Sequence, residues 1–593
     1  MRHTVSHAAF AAAFLFVSLA TALPHGDDEA MDMGTDMGME MSMTSTAPPA
    51  TTTAAKTHSD AVMSYFAYSK HSGTIIAHIA LMALGWCFVL PAAVMLSVAR
   101  SRFALPSQFL FLVFNAFGLL LGLIYNGQTP DLYENNAHHK IGWIATWVVC
   151  VQAILGLIFA YAGRGESHAD TYERATFLPV ATDEMAQHDH MYPRRALHEY
   201  RWSRDSGQGT ESNSSSIHSP GSPSCESPAE YDGFEKPEDD LPAKPAVPRG
   251  WFHSTVVDRF LSKRVPGLVS SRVLRSFNLV YNIIDRIILP FGFAAIATGA
   301  VTYGGIMRGN QVFNGLAHFI KGGIFFWYGI LTLGRFVGCW ADLGWAWNKK
   351  PPATIVGSWK SKIPSGEFTE SFVIWLYGAS NVFLEHLARW GESWSPTDLE
   401  HVSISVMFFG GGLCGMLFES KRIRGWLNST LLQPPAHGTR DEAWQPPKSQ
   451  GVPLNPMPAL IILLLGMMMG SHHQDSMTST MVHKQWGNLL VGFALARGMT
   501  YLLLFLKPPS SYLPARPPTE IVAAFCLISG GLIFMLSTRN VIEAMEFYEV
   551  DAMFTFTVGM GFTAFVMALE VLVIALKAWA VKRDQLNVSY RFP

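Results

Sequence analysis

Eleven long apolar stretches alternate with polar ones along the chain, at 73–98, 109–125, 141–162, 283–302, 316–338, 370–387, 401–417, 452–470, 485–506, 520–537 and 553–576. Each approaches the roughly 20 apolar residues that an α-helix needs to cross a hydrocarbon core of roughly 30 Å. In lipid every backbone polar group of such a segment has to bond within its own helix. The pattern therefore predicts an all-α fold, a polytopic membrane helix bundle of about eleven transmembrane helices. Ahead of them, Arg2, an apolar run from Ala8 to Ala20 and the small residues Ala20-Thr21-Ala22 predict a cleaved secretory signal peptide over 1–22.

The polar stretches divide the chain further. Residues 23–70 form an exterior tail in which His25 to Met43 alternates six methionines with carboxylates and glycines, a composition that builds no core. Soft thioethers at that spacing suit Cu(I). Residues 71–162 give a three-helix membrane domain. A linker over 163–275 is rich in Ser, Pro, Glu and Asp, and ends in a basic, aromatic segment (Trp251, Phe252, Phe260 with Arg259, Lys263, Arg264) suited to an anionic membrane surface. An eight-helix membrane domain follows over 276–580, and 581–593 form a tail.

Composition agrees: of 593 residues, 49% are apolar and 15% charged, and the net charge of −2 gives no reason to expect nucleic acid as a partner. The expected partners are the lipid bilayer and metal ions. Lys349, Lys350, Lys421, Arg422, Arg424, Lys582 and Arg583 gather on one predicted side, which the positive-inside rule makes cytosolic. The N-terminus is then exterior or lumenal and the C-terminus cytosolic, in a membrane of the secretory pathway: plasma membrane, vacuole or endoplasmic reticulum. Six cysteines form neither a CxxC motif nor a disulfide framework.

On this topology the histidines of the helix ends all fall outside. His78, His138, His318, His401 and His483 open helices that start from the exterior, and His386, His472 and His473 close helices that end there. Glu385, Glu400 and Asp475 accompany some of them, and Met467, Met468 and Met469 lie one turn from His472. Imidazole and carboxylate suit Zn, Cu or Fe. We expect His386, His401, His472, His473 and His483 to meet at one exterior metal site holding copper, iron or zinc. Two charges lie deeper, Arg497 and Glu570, and a pair between them would remove the cost of burying each alone.

His78, Met82, Trp86, Pro91 and Arg100, with His138, Gly142 and Gln152 in AHHKIGWIATWVVCVQ, resemble two core helices of cytochrome b561 proteins. The resemblance implies one haem b clamped by His78 and His138. Aligning Gly118 and Gly122 puts Phe111 where that family carries a further histidine, so the ligand of its second haem is missing. The later stretches KGGIFFWYGILTLGR, LEHVSISVMFFGGGLCGML and GSHHQDSMTSTMVHKQWG resemble the C-terminal half of fungal Ytp-type integral membrane proteins. Four functional classes follow: a haem b protein that transfers electrons or reduces exterior metal ions, a copper or other metal-binding or transport protein, a zinc-dependent membrane hydrolase, and a scaffold without cofactor.

Overall fold

The computed structural model describes residues 64–162, 271–309, 311–384, 393–431, 447, 451–472 and 474–589. The expected signal peptide, nearly all of the Met-rich tail region and the linker with most of its basic segment lie outside these residues, as do His386 and His473.

Among the described residues the fold is helical, without strands. The first three spans are α1 (Ser72–Val98), α2 (Ala104–Gln128) and α3 (Ala137–Ala162). Helix α1 contains a π-helical turn at Leu84–Val89, just ahead of Pro91. A proline ring collides with the carbonyl four residues back, here that of Cys87, and a wider turn relieves the clash. The next helix, α4 (Ser271–Gly304), starts a dozen residues before the predicted apolar stretch and lies against α3 and α1. The sequence groups it with the helices that follow; in space it completes a four-helix bundle with those that precede it. Trp86, Leu90, Phe111, Val149 and Ile288 form its centre.

At one end of this bundle a buried polar network ties α4 to its neighbours. Asp285 accepts from Ser97 Oγ at 2.8 Å and from Gln152 Nε2 at 2.5 Å, and Tyr281 bonds both Ser97 and Gln108 at 2.9 Å. At the other end the loops interlock: Tyr133 donates to the carbonyls of Ile306 and Met307 at 2.8 and 2.9 Å, and Arg308 donates to that of Leu132 at 2.7 Å. Burial raises the Tyr133 phenol above its usual range, against the pull of nearby Arg308, so it stays protonated and able to donate.

The second half consists of α5 (Gln311–Val337), α6 (Ala353–Lys362), α7 (Gly366–Leu384), α8 (Pro396–Glu419), α9 (Lys421–Leu431), α10 (Met457–Ser471), α11 (Met477–Leu506), α12 (Thr519–Leu536), α13 (Arg539–Phe547) and α14 (Ala552–Ser589). A capping box of Ser395 and Asp398, with Pro396 in the first turn, starts α8. Lipid tails are as apolar as leucine, so helices here associate by close packing more than by the hydrophobic effect. Small residues do this. A Cβ at Gly322 of α5 would stand 2.6 Å from the Gly531 carbonyl oxygen of α12, and one at Gly466 of α10 would stand 2.7 Å from that of Gly487 in α11. Helix α14 reaches back to the first bundle, where Phe565 meets Phe88 and Trp579 stacks on Phe103.

Nine helices among the described residues are long and apolar enough to cross a membrane: α1 to α5, α8, α11, α12 and α14. The two remaining predicted spans correspond to α7 and α10. Helix α10 has only 15 residues, and α7 carries Glu367, Glu370, Ser371, Ser380 and Asn381.

Candidate functional site

His78 lies in the second turn of α1 and His138 in the first turn of α3. Successive helices run antiparallel, so both reach the same end of the four-helix bundle. Their ring centres are 6.4 Å apart and their planes cross at 79°. His78 Nδ1 lies 2.7 Å from the Gly118 carbonyl oxygen of α2, and His138 Nδ1 lies 3.1 Å from that of Ala295 in α4. A carbonyl only accepts, so each Nδ1 carries the proton and each Nε2 keeps its lone pair.

Glycines shape the space around both rings. A Cβ at Gly122 would come within 3.0 Å of the His78 ring, and one at Gly299 within 3.0 Å of the His138 ring. Any side chain there would push the imidazole away, so these positions let each ring lie against the neighbouring helix. One turn on from Gly122, Tyr125 is 4% exposed and its hydroxyl has no hydrogen-bond partner among the described residues. The adjacent His139 is exposed.

Deeper in the same bundle the space is filled. Phe111 is fully buried and meets the Trp86 ring edge-on, with centres 5.1 Å apart. Trp86 Nε1 donates to Asn115 at 3.0 Å, Asn115 donates to Thr146 at 3.1 Å, and Thr146 donates to the Gly142 carbonyl at 2.9 Å. Apolar rings and a closed chain of hydrogen bonds thus occupy the level of Phe111.

The residues fit a bis-histidine haem. Two imidazoles bound to one metal at about 2 Å each have ring centres roughly 6 Å apart, and a proton held on Nδ1 by a carbonyl presents Nε2 as the ligand. The glycines provide close approach, and Tyr125 offers an unmet polar group nearby.

The expected metal residues are spread more widely. His472 Nδ1 lies 3.2 Å from Glu400 Oε2, and His401 and His472 line one cavity of about 600 Å³ with Glu400, Met468 and Met469. His483 instead faces His318, with ring centres 6.2 Å apart and planes at 87°. His386 and His473 lie outside the described residues, and among the described ones no three His, Cys, Asp or Glu side chains converge on a metal position.

The anticipated pair of Arg497 with Glu570 is replaced by a larger network. Arg497 of α11 contacts Glu520 of α12 at 2.8 Å and Glu370 of α7 at 3.2 Å; Glu370 also binds Arg335 of α5 at 2.5 Å, and Arg335 binds Glu367 at 2.7 Å. Glu570, on α14, leaves its buried Oε2 without a hydrogen-bond partner among the described residues. Carboxylates inside apolar helices, at 367, 370 and 520, were the sequence signal for this network. Which of them Arg497 reaches depends on helix order in space.

Comparison with known proteins places these features. Residues 291–578 match the family described as "Protein YTP1-like, C-terminal", and residues 59–162 match a domain of unknown function, DUF2427. An uncharacterized membrane protein of Schizosaccharomyces pombe is 35% identical over 523 residues, which is 87% of this chain and 96% of that protein. An uncharacterized membrane protein of Saccharomyces cerevisiae is 39% identical over 315 residues, 51% of this chain and 49% of that protein. Protein YTP1 of the same yeast is 23% identical over 275 residues, 46% of this chain and 49% of that protein. No solved structure matches the chain.

Proposed function

The chain belongs to the YTP1-like family of membrane proteins, and from that premise we propose that it is a haem b electron-transfer protein with one bis-histidine centre between α1 and α3. The observation that carries this reading is the facing pair His78 and His138, 6.4 Å between ring centres, each with Nδ1 held by a carbonyl of a different helix. Haem b bound there supplies a one-electron carrier. His78 and His138 would both hold the haem iron, an arrangement that favours outer-sphere electron transfer over bond-making chemistry. Gly118 and Ala295 fix the tautomers and ring orientations, Gly122 and Gly299 keep the rings close to the backbone, and Tyr125 offers its hydroxyl to a polar edge. Phe111 and Trp86 close the deeper level, so the centre is single.

By the distribution of Lys and Arg, the histidine end is the exterior or lumenal one. Such a centre would pass an electron from a one-electron donor that reaches that end to an acceptor there, oxidised metal ions among them. The test is the dithionite-reduced minus oxidised absorbance spectrum of the purified full chain, made in cells supplied with haem. We expect sharp low-spin b-type bands that vanish in the His78→Ala, His138→Ala double variant. Protein without such bands, or bands that survive both substitutions, would end this reading.

A further inference from the structure

We propose that His318 and His483 form a second metal site, one that takes a bare Cu(I) ion in two-coordinate geometry. The two residues come from α5 and α11 and meet at the same end of the helices as the first pair. Their ring centres are 6.2 Å apart, close to the roughly 6 Å of two imidazoles sharing one metal. His318 Nδ1 lies 3.0 Å from the Asn314 carbonyl, and His483 Nδ1 lies 2.8 Å from that of Ser479. Both anchors sit one helical turn back on the same helix. Each ring therefore commits Nδ1 as donor and keeps Nε2 as a neutral ligand, so binding releases no proton.

The surroundings select an ion over a haem. Among the described residues no glycine has either ring as its nearest neighbour, as Gly122 and Gly299 do at the first pair. Aromatic rings stand there instead: Phe534 meets His318 edge-on at 5.3 Å, Trp486 lies 5.9 Å from His483, and Phe534 and Trp486 stack at 4.2 Å. Trp486 is fully buried. This wall leaves little room for a macrocycle.

Ligand number then selects the metal. Structural and catalytic zinc take at least three protein ligands, whereas among the described residues no group of three candidate ligands forms. Two neutral imidazoles suffice for closed-shell Cu(I), which accepts linear coordination, and Phe534 and Trp486 cover one side of the pair. Helix α10, packed on α11, carries Met468 and Met469 beside the cavity that His401 and His472 line. Thioethers favour Cu(I), and that cavity gives it an approach lined by them.

The experiment presents Cu(I), buffered by a chromogenic chelator under anaerobic conditions, to the full chain in detergent. Copper per protein is read after desalting, and the copper neighbours are read by X-ray absorption. We expect one copper with two nitrogen neighbours, lost or bound at least tenfold more weakly in His318→Gln, His483→Gln protein, and kept in His78→Ala, His138→Ala protein. Gel filtration verifies that the variants remain monodisperse; if the double variant aggregates, the single His483→Gln variant takes its place. Three results would overturn the proposal: no two-nitrogen copper in the wild type, copper with sulfur neighbours alone that survives the substitutions, or a low-spin haem signal that disappears with His318 and His483.

Discussion

The two ends of the helix bundle solve the burial of polar groups in opposite ways. At the histidine end, His78, His138, His318 and His483 each hold Nδ1 within hydrogen-bond distance of a backbone carbonyl, and both proposed sites draw on the remaining Nε2. At the opposite end, Arg335 and Arg497 are locked to Glu367, Glu370 and Glu520 of two other helices, and Glu370 joins the two arginines. One end is half-satisfied by design of its donors, the other is closed on itself. On the proposed reading, the contrast separates groups placed to bind a ligand from groups that hold helices in register.

If that contrast is right, the largest effect on stability comes from the closed end. Arg497→Leu leaves Glu520 and much of Glu370 without a counter-charge in a buried site, which costs about 3–5 kcal/mol when one partner of such a pair is removed. Thermal unfolding of the detergent-solubilised protein measures it. The haem bands of the folded fraction should remain, and their selective loss would break the division between the two ends.

At the open end the effect is on the ligand. His78→Ala or His138→Ala alone should abolish the low-spin spectrum while leaving the unfolding midpoint within a few degrees of the wild type. A smaller effect distinguishes close approach from mere packing: Gly122→Val, whose Cβ would press on the His78 ring, should lower haem occupancy several-fold, and Gly299→Val should do the same through His138. Gly127→Ala, with open space around its Cβ, is the matched control and should change nothing. Haem per protein from a pyridine haemochrome assay reads all three.

The smallest change concerns Glu570, which takes no part in the closed network. A buried carboxyl without a counter-charge stays neutral, so Glu570→Gln exchanges one neutral polar group for another of the same shape and should shift stability by less than about 1 kcal/mol. A loss comparable to that of Arg497→Leu would mean that the network extends to α14.

Much of this protein follows from local sequence. Apolar runs of sufficient length located the helices, since lipid leaves the backbone no other way to satisfy its hydrogen bonds. Alternation of direction from span to span then carried His78, His138, His318, His401, His472 and His483 to one end without knowledge of any contact. The resemblance carried by His78, Gly142 and Gln152 named His138, which lies beside His78, while the next residue, His139, is exposed. What remained hidden was adjacency. The tertiary structure alone put α4 beside α3, so that Gly299 and Ala295 meet His138 across a linker of more than a hundred residues, and it alone paired His318 with His483 and Arg497 with Glu520 and Glu370. The physical reason lies in the solvent. In water an apolar stripe shows which face of a helix turns inward, but in lipid every face is apolar, and neighbours are chosen by small residues and a few polar groups whose partners lie far away along the chain.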